Sequence, residues 1–147
     1  MSKNARPVFL YDVRMDLDFL SRRDVRPDHY DIGALDAWRM VCDPWPRIEP
    51  KEGATIFGIV APLSHKEIAR LYDDESAQGR DFRPEATLVR LPQAGMTLAL
   101  TYTLPFHNGA QSVRPELSQL DEIIRLSVTH GFPDWYTLAL RSIRGRD

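Results

Sequence analysis

The sequence predicts an α+β fold, a small mixed β-barrel or sheet flanked by helices. β-prone apolar runs occupy the chain up to about residue 104, a single capped helical pattern interrupts them, and two further helical patterns close the sequence from Glu116 onward. The order strands, helix, strands, helices does not suit the alternation of a doubly wound parallel sheet.

Residues 7 to 11, Pro-Val-Phe-Leu-Tyr, form a short apolar β-prone run that ends in the polar segment from Asp12. A buried first strand is expected there, with a functional loop after it. From Met15 to Arg23 apolar and charged residues alternate loosely, compatible with a short helix or an irregular turn. Residues 29 to 41 are β-prone, after which Pro44, Pro46 and Pro50 predict an extended, helix-free loop. Residues 54 to 62 are continuously apolar and β-branched, as in a strand covered on both faces, and Gly58 allows another backbone to approach closely. Ser64-His65-Lys66-Glu67 reads as a capping box that opens a helix. Residues 82 to 91 and 96 to 104 flank Pro92-Gln93-Ala94-Gly95 and predict a hairpin with one large-apolar face, since Met96, Leu98, Leu100, Tyr102 and Leu104 alternate with small residues. After a loop from Pro105, Leu117, Leu120, Ile123, Ile124 and Val128 recur at helical spacing, closed by Gly131 and Pro133. A last helix is expected from Pro133 to about Arg144, with a tail fraying through Gly145 and Arg146.

The length of 147 residues suits one domain spanning the chain. Apolar residues make up 43% and charged residues 27%, so a packed core is expected rather than long disorder. The polar N-terminus carries no leader pattern and no run approaches a membrane span, and the single Cys42 cannot form an internal disulfide. These features predict a cytoplasmic protein without a membrane partner. The net charge of −2 and pI near 6.1 argue against nucleic acid as a partner. Only Lys3, Lys51 and Lys66 of the 19 basic residues are lysine, and the 16 arginines favour specific bidentate ion pairs.

His29, His65, His107 and His130 are dispersed and no paired cysteines occur, so no metal is expected. No glycine-rich phosphate loop or nucleophile elbow is present, and Cys42 beside Asp43 and Pro44 reads as a buried structural residue. The informative place is the end of the capped helix. Ile68, Leu71 and Tyr72 mark its inward stripe, and Glu75 continues it at i+7, while Asp73 and Asp74 point away. Burial and the negative end of the helix dipole both disfavour a charged glutamate, which is how a general acid/base is poised. If the helix instead ends at Tyr72, all three acids are solvated helix-end residues.

The arrangement resembles the γ-glutamylcyclotransferase-like proteins over about Val8 to Tyr136. Phe9-Leu10-Tyr11 looks like the family's aromatic first strand, Ile48, Pro50, Gly53, Ile56 and Gly58 like its approach to a glycine-containing strand, and Leu71-Tyr72-Asp73-Asp74-Glu75 like its Leu-x-x-x-Glu helix end. Phe82-Arg83-Pro84, Tyr102 and Gly131-Phe132-Pro133 fall at similar places. The resemblance implies a small mixed barrel flanked by helices that cyclises a small γ-glutamyl compound to 5-oxoproline without a cofactor. It implies Glu75 as the catalytic acid/base and Tyr11, Asp12, Val13, Arg14 and Met15 as the substrate-binding loop.

The sequence departs from the family in that loop. Asp12 stands where a glycine is expected and Val13-Arg14 replace a small polar pair, with Tyr72 and Ser76 as milder departures. Aspartate tolerates left-handed backbone angles, but two negative charges about 4 Å apart repel by roughly 4 kcal/mol at an effective dielectric of 20, which disfavours a substrate carboxylate beside Asp12. Pairing of Arg14 with Asp12 or a ligand would offset this. Read without the resemblance, Arg14 is a solvated surface charge, Tyr11 packs in the core as readily as it lines a pocket, Arg83 makes an ion pair and Tyr102 packs. The altered loop also admits a non-catalytic metabolite- or protein-binding domain of the same fold.

Overall fold

The computed structural model describes residues 5–42, 45–76, 79–105 and 117–145. In chain order the elements are β1 (Arg6–Leu10), a 3-10 turn (Val13–Met15), α1 (Leu17–Arg22), β2 (Asp31–Cys42), β3 (Pro46–Leu63), α2 (His65–Ser76), β4 (Arg83–Leu91), β5 (Gly95–Thr103), α3 (Leu117–Thr129) and α4 (Asp134–Arg144). The expected loop at 106–116, including Glu116, and the last residues of the tail lie outside the described residues.

The strands close into a barrel in the order β1-β3-β2-β4-β5. β1 joins β5 in parallel through Val8↔Leu100 and Phe9↔Thr101, and the other neighbours are antiparallel, so the sheet is mixed as predicted. β3 is the central strand, pairing with β2 along most of its length and with β1 over Ile59–Leu63. Its faces alternate. Phe57 looks outward onto the helical corner, its ring centroid 5.8 Å from Phe132 and 5.2 Å from Tyr136. α3 and α4 are joined there by the buried Ser127 and Thr137 hydroxyls, 2.6 Å apart.

Two local expectations hold atom by atom. Glu67 N donates to Ser64 Oγ at 3.2 Å and Ser64 N donates to Glu67 Oε1 at 2.9 Å, a reciprocal cap that fixes where α2 begins. At Gly58 a Cβ would lie 2.2 Å from the carbonyl oxygen of Leu10, so only glycine lets β3 come this close to the end of β1. That contact sets the point from which the chain leaves the barrel into residues 11–15.

Two expectations need correction, and the direction of the hairpin faces, which the alternation leaves open, is decided. Pro46 and Pro50 lie in extended strand, not loop, Pro46 pairing with Cys42 and Pro50 with Trp38, while Pro44 lies outside the described residues. There β3 pairs only with β2, so its other flank has no strand to miss an amide donor. Toward the tip of the β4–β5 hairpin the large apolar residues face outward, with Leu88, Met96 and Leu98 exposed by 58%, 53% and 62%, while Leu100 and Tyr102 are half-buried and Thr87, Val89, Ala99 and Thr101 are buried. The crowded lumen takes the small residues. Cys42, expected to be buried, is half-buried. Among the described residues no helix is long and apolar enough to cross a membrane.

Gly58→Ala is expected to cost about 3 kcal/mol, because the added methyl meets backbone that cannot rotate away. A urea unfolding midpoint within experimental error of the wild type would contradict the close approach.

Candidate functional site

The chain leaves β1 at Leu10 and folds at once around Asp12. Asp12 Oδ1 accepts from Arg14 N at 3.0 Å and its carbonyl accepts from Met15 N at 3.0 Å, winding residues 13–15 into the 3-10 turn. The backbone at Asp12 is extended, with φ −116° and ψ −150°, so its tolerance for left-handed angles is not used. From the far side of the turn, His130 at the end of α3 donates Nε2–H to the Met15 carbonyl at 2.8 Å. The His130 ring stacks on Phe132 with centroids 5.6 Å apart, which aims the imidazole at the loop.

Turning the chain this way drives the Arg14 side chain inward. Arg14 is 3% exposed, which overturns its reading as a solvated surface charge. Its Nη1 donates to Asp12 Oδ2 at 2.7 Å and its Nε to the Leu71 carbonyl at 3.1 Å, while Nη2 pairs with Glu75 Oε1 at 3.1 Å. The guanidinium carbon lies 4.4 Å from the Tyr72 ring centre and 4.8 Å from that of Phe82. Burial opposes the charge on this group, but Asp12, Tyr72 and Glu75 more than offset it and hold the Arg14 pKa above its ordinary value. The repulsion anticipated at Asp12 is thus neutralised from within the loop.

Glu75 lies where the α2 stripe puts it. The helix runs through Ser76, Ile68, Leu71 and Tyr72 are buried, Asp73 and Asp74 are exposed, and the Glu75 side chain is 14% exposed. Its second oxygen accepts from Arg80 Nε, and the Arg80 guanidinium lies 4.7 Å over the Trp45 ring. The expected lone buried base is therefore a carboxylate bound by two guanidinium groups. Tyr11, 1% exposed, donates its hydroxyl to the Tyr102 carbonyl at 2.6 Å, and Tyr102 stacks on Tyr72 with centroids 4.3 Å apart. Val13 is half-buried and Met15 fully buried. Arg83 makes only a loose, exposed pair with Asp81 at 3.5 Å.

The structure therefore brings Tyr11, Asp12, Arg14 and Glu75 into one connected cluster, with Val13 and Met15 as the turn that holds it. Sequence reasoning missed Arg80, Trp45 and His130. His130 carried a faint signal, a histidine directly before the glycine that ends α3. Arg80 and Trp45 carried none, since Arg80 reaches Glu75 from beyond the end of α2 and Trp45 meets Arg80 from a distant part of the chain. Chemically, the cluster holds the Arg14 cation between two carboxylates and two aromatic rings, with the Glu75 carboxylate facing the loop. The amides of Arg14 and Met15 already donate to Asp12, so these two are not offered to a developing oxyanion.

This closed mixed barrel flanked by helices is the γ-glutamylcyclotransferase-like fold. A solved γ-glutamyl cyclotransferase superposes with a TM-score of 0.72 at 12% identity, covering 95% of this chain and 88% of that one. YkqA from Bacillus subtilis superposes with a TM-score of 0.74 at 18% identity, covering 97% of this chain and 55% of that one. An AIG2-like protein from Mus musculus gives a TM-score of 0.54 at 14% identity over 77% of this chain and 96% of that one. No family model and no curated protein matches the sequence.

Arg14→Met is expected to cost about 3–5 kcal/mol, because it leaves Asp12 charged, buried and without its cation, and Asp12→Asn added to it should recover part of the loss. Additive costs in the double-mutant cycle, measured by urea unfolding, would show that the pair is not coupled. Burial, followed by the Asp12 charge, raises the Tyr11 pKa, and burial likewise raises those of Tyr72 and Tyr136 above the ordinary tyrosine value. A folded-state pKa above the unfolded value of about 10 means that their contribution to stability is intact below that pH and declines as pH rises beyond it. In an alkaline absorbance titration these three phenols should ionise together with unfolding; their ionisation in a still-folded protein would contradict the burial.

Proposed function

We propose that this protein cyclises a small γ-glutamyl amine or peptide to 5-oxoproline and releases the amine, with Glu75 as general acid/base and the Tyr11–Met15 loop holding the γ-glutamyl group. The observation that carries the reading is the meeting of Glu75 with that loop, at 3.1 Å from Arg14, within a γ-glutamylcyclotransferase-like fold. The chemistry needs no cofactor. The substrate's ammonium gives up a proton to Glu75, and the freed amine attacks the γ-carbonyl carbon of the same molecule. The bond from that carbon to the leaving nitrogen then breaks. The protons lost as the lactam N–H forms pass to the departing amine, with Glu75 as the carrier. Holding both reacting groups of one molecule in a folded pose supplies the orientation for this attack.

A specific observation favours a second reading. One Glu75 oxygen accepts from Arg80 and the other is ion-paired with Arg14 at 3.1 Å, and a carboxylate so engaged is a poor acceptor for a substrate proton unless one partner withdraws. A chain in which Arg14 never withdraws is a non-catalytic binding domain of the same fold.

The test is 5-oxoproline release from a panel of γ-glutamyl amino acids and amines. The cyclisation reading expects turnover by the wild type and a loss of at least about a hundredfold in Glu75→Gln, the usual scale for removing a general acid/base. Absence of release from every substrate by folded wild type would refute it in favour of the binding domain.

A further inference from the structure

The surroundings of the Arg14 guanidinium form a receptor for an organic cation. Two carboxylates, Asp12 at 2.7 Å and Glu75 at 3.1 Å, face it from different elements, the Leu71 carbonyl accepts from it at 3.1 Å, and the Tyr72 and Phe82 rings flank it at 4.4 and 4.8 Å. The two rings lie 5.3 Å apart with an interplanar angle of 58°, two walls of one pocket. In the reading proposed above, Glu75 must receive the ammonium group of a γ-glutamyl ligand. That position already holds the charge of Arg14.

We propose that Arg14 is a tethered competitor for the ligand's ammonium group and thereby the residue that determines which ligands this site accepts. The inference rests on the cyclisation-site reading, but concerns occupancy rather than turnover. Asp12 is what makes it work. Oδ1 holds the turn through the Arg14 amide while Oδ2 holds the side chain, so one aspartate both shapes the loop and steers its arginine toward Glu75. A ligand with an α-ammonium must exchange with Arg14, and its apparent affinity falls by the fraction of molecules in which Arg14 has withdrawn. The loss falls on the ammonium-bearing ligand because the contested partner is the Glu75 carboxylate. An analogue without that group does not use Glu75 and is not in competition.

Binding of two probes is measured by calorimetry, γ-glutamyl methylamide and its des-amino analogue, which keeps the carboxylate and the amide. Arg14→Asn is expected to bind γ-glutamyl methylamide at least about tenfold more tightly than the wild type, with the des-amino analogue changed less than twofold. Asp12→Asn, which leaves the arginine in place but removes its steering partner, is expected to give a smaller gain with the same selectivity. It carries the test if Arg14→Asn does not fold. Equal affinity of variant and wild type for the amine, an equal gain for both probes, or no detectable binding by a folded variant would each overturn the proposal. 5-Oxoproline is assayed separately. Selective gain in binding without release leaves the competitor standing and sinks cyclisation, whereas release by the wild type without a selective gain does the reverse.

Discussion

A guanidinium taken out of water must have its charge balanced and its N–H groups accepted, and the loop after β1 is built around meeting that requirement for Arg14. Its partners come from three places in the sequence: Asp12 two residues away, Leu71, Tyr72 and Glu75 on the last turns of α2, and Phe82 just before β4. Removing any one of them leaves the others facing an incompletely paired buried charge. The Arg14 contacts therefore tie the end of α2 and the entry to β4 to the end of β1.

That arrangement depends in turn on how β1 leaves the barrel. Gly58 brings β3 up against the Leu10 carbonyl, and the chain can turn inward at Tyr11 and Asp12 only from that close position. Behind the turn, His130 holds the Met15 carbonyl, and the Ser127–Thr137 and Phe57–Tyr136 contacts hold the α3–α4 corner that carries His130. The site is thus fixed from the barrel on one side and from the helical pair on the other, with Glu75 arriving on a third element.

The charges explain how this loop holds its shape without a glycine. A glycine in place of Asp12 would permit a tight turn through backbone freedom, whereas here the turn is held by the aspartate's own side chain in an ordinary extended conformation. The added negative charge is balanced by Arg14, and the second carboxylate, Glu75, by Arg14 and Arg80 together. The cluster comprises two acids and two guanidinium groups, so it can be buried without a large net charge.

Much of the fold was legible because its signals are local. The capping box at Ser64, the β-branched run around Gly58, the i+7 step to Glu75 and the glycine-proline break between the last helices each depend on residues a few positions apart. Asp12 also acts locally, on an amide two residues away, yet its sequence reading invoked left-handed backbone angles and the structure holds the turn through its side chain instead. What only the tertiary structure decided was which way things face. The alternation of β5 identifies two faces but not which one is inside, and the narrow lumen, shared with Thr87 and Val89 of β4, chose the small one. The prolines at 46 and 50 marked a break until β2 supplied a strand to pair with them. Arg14 read as a surface charge because, Asp12 apart, its compensating groups lie 57 and 61 residues away, at Leu71 and Glu75, and pairing at that distance along the chain is set by packing, not by sequence.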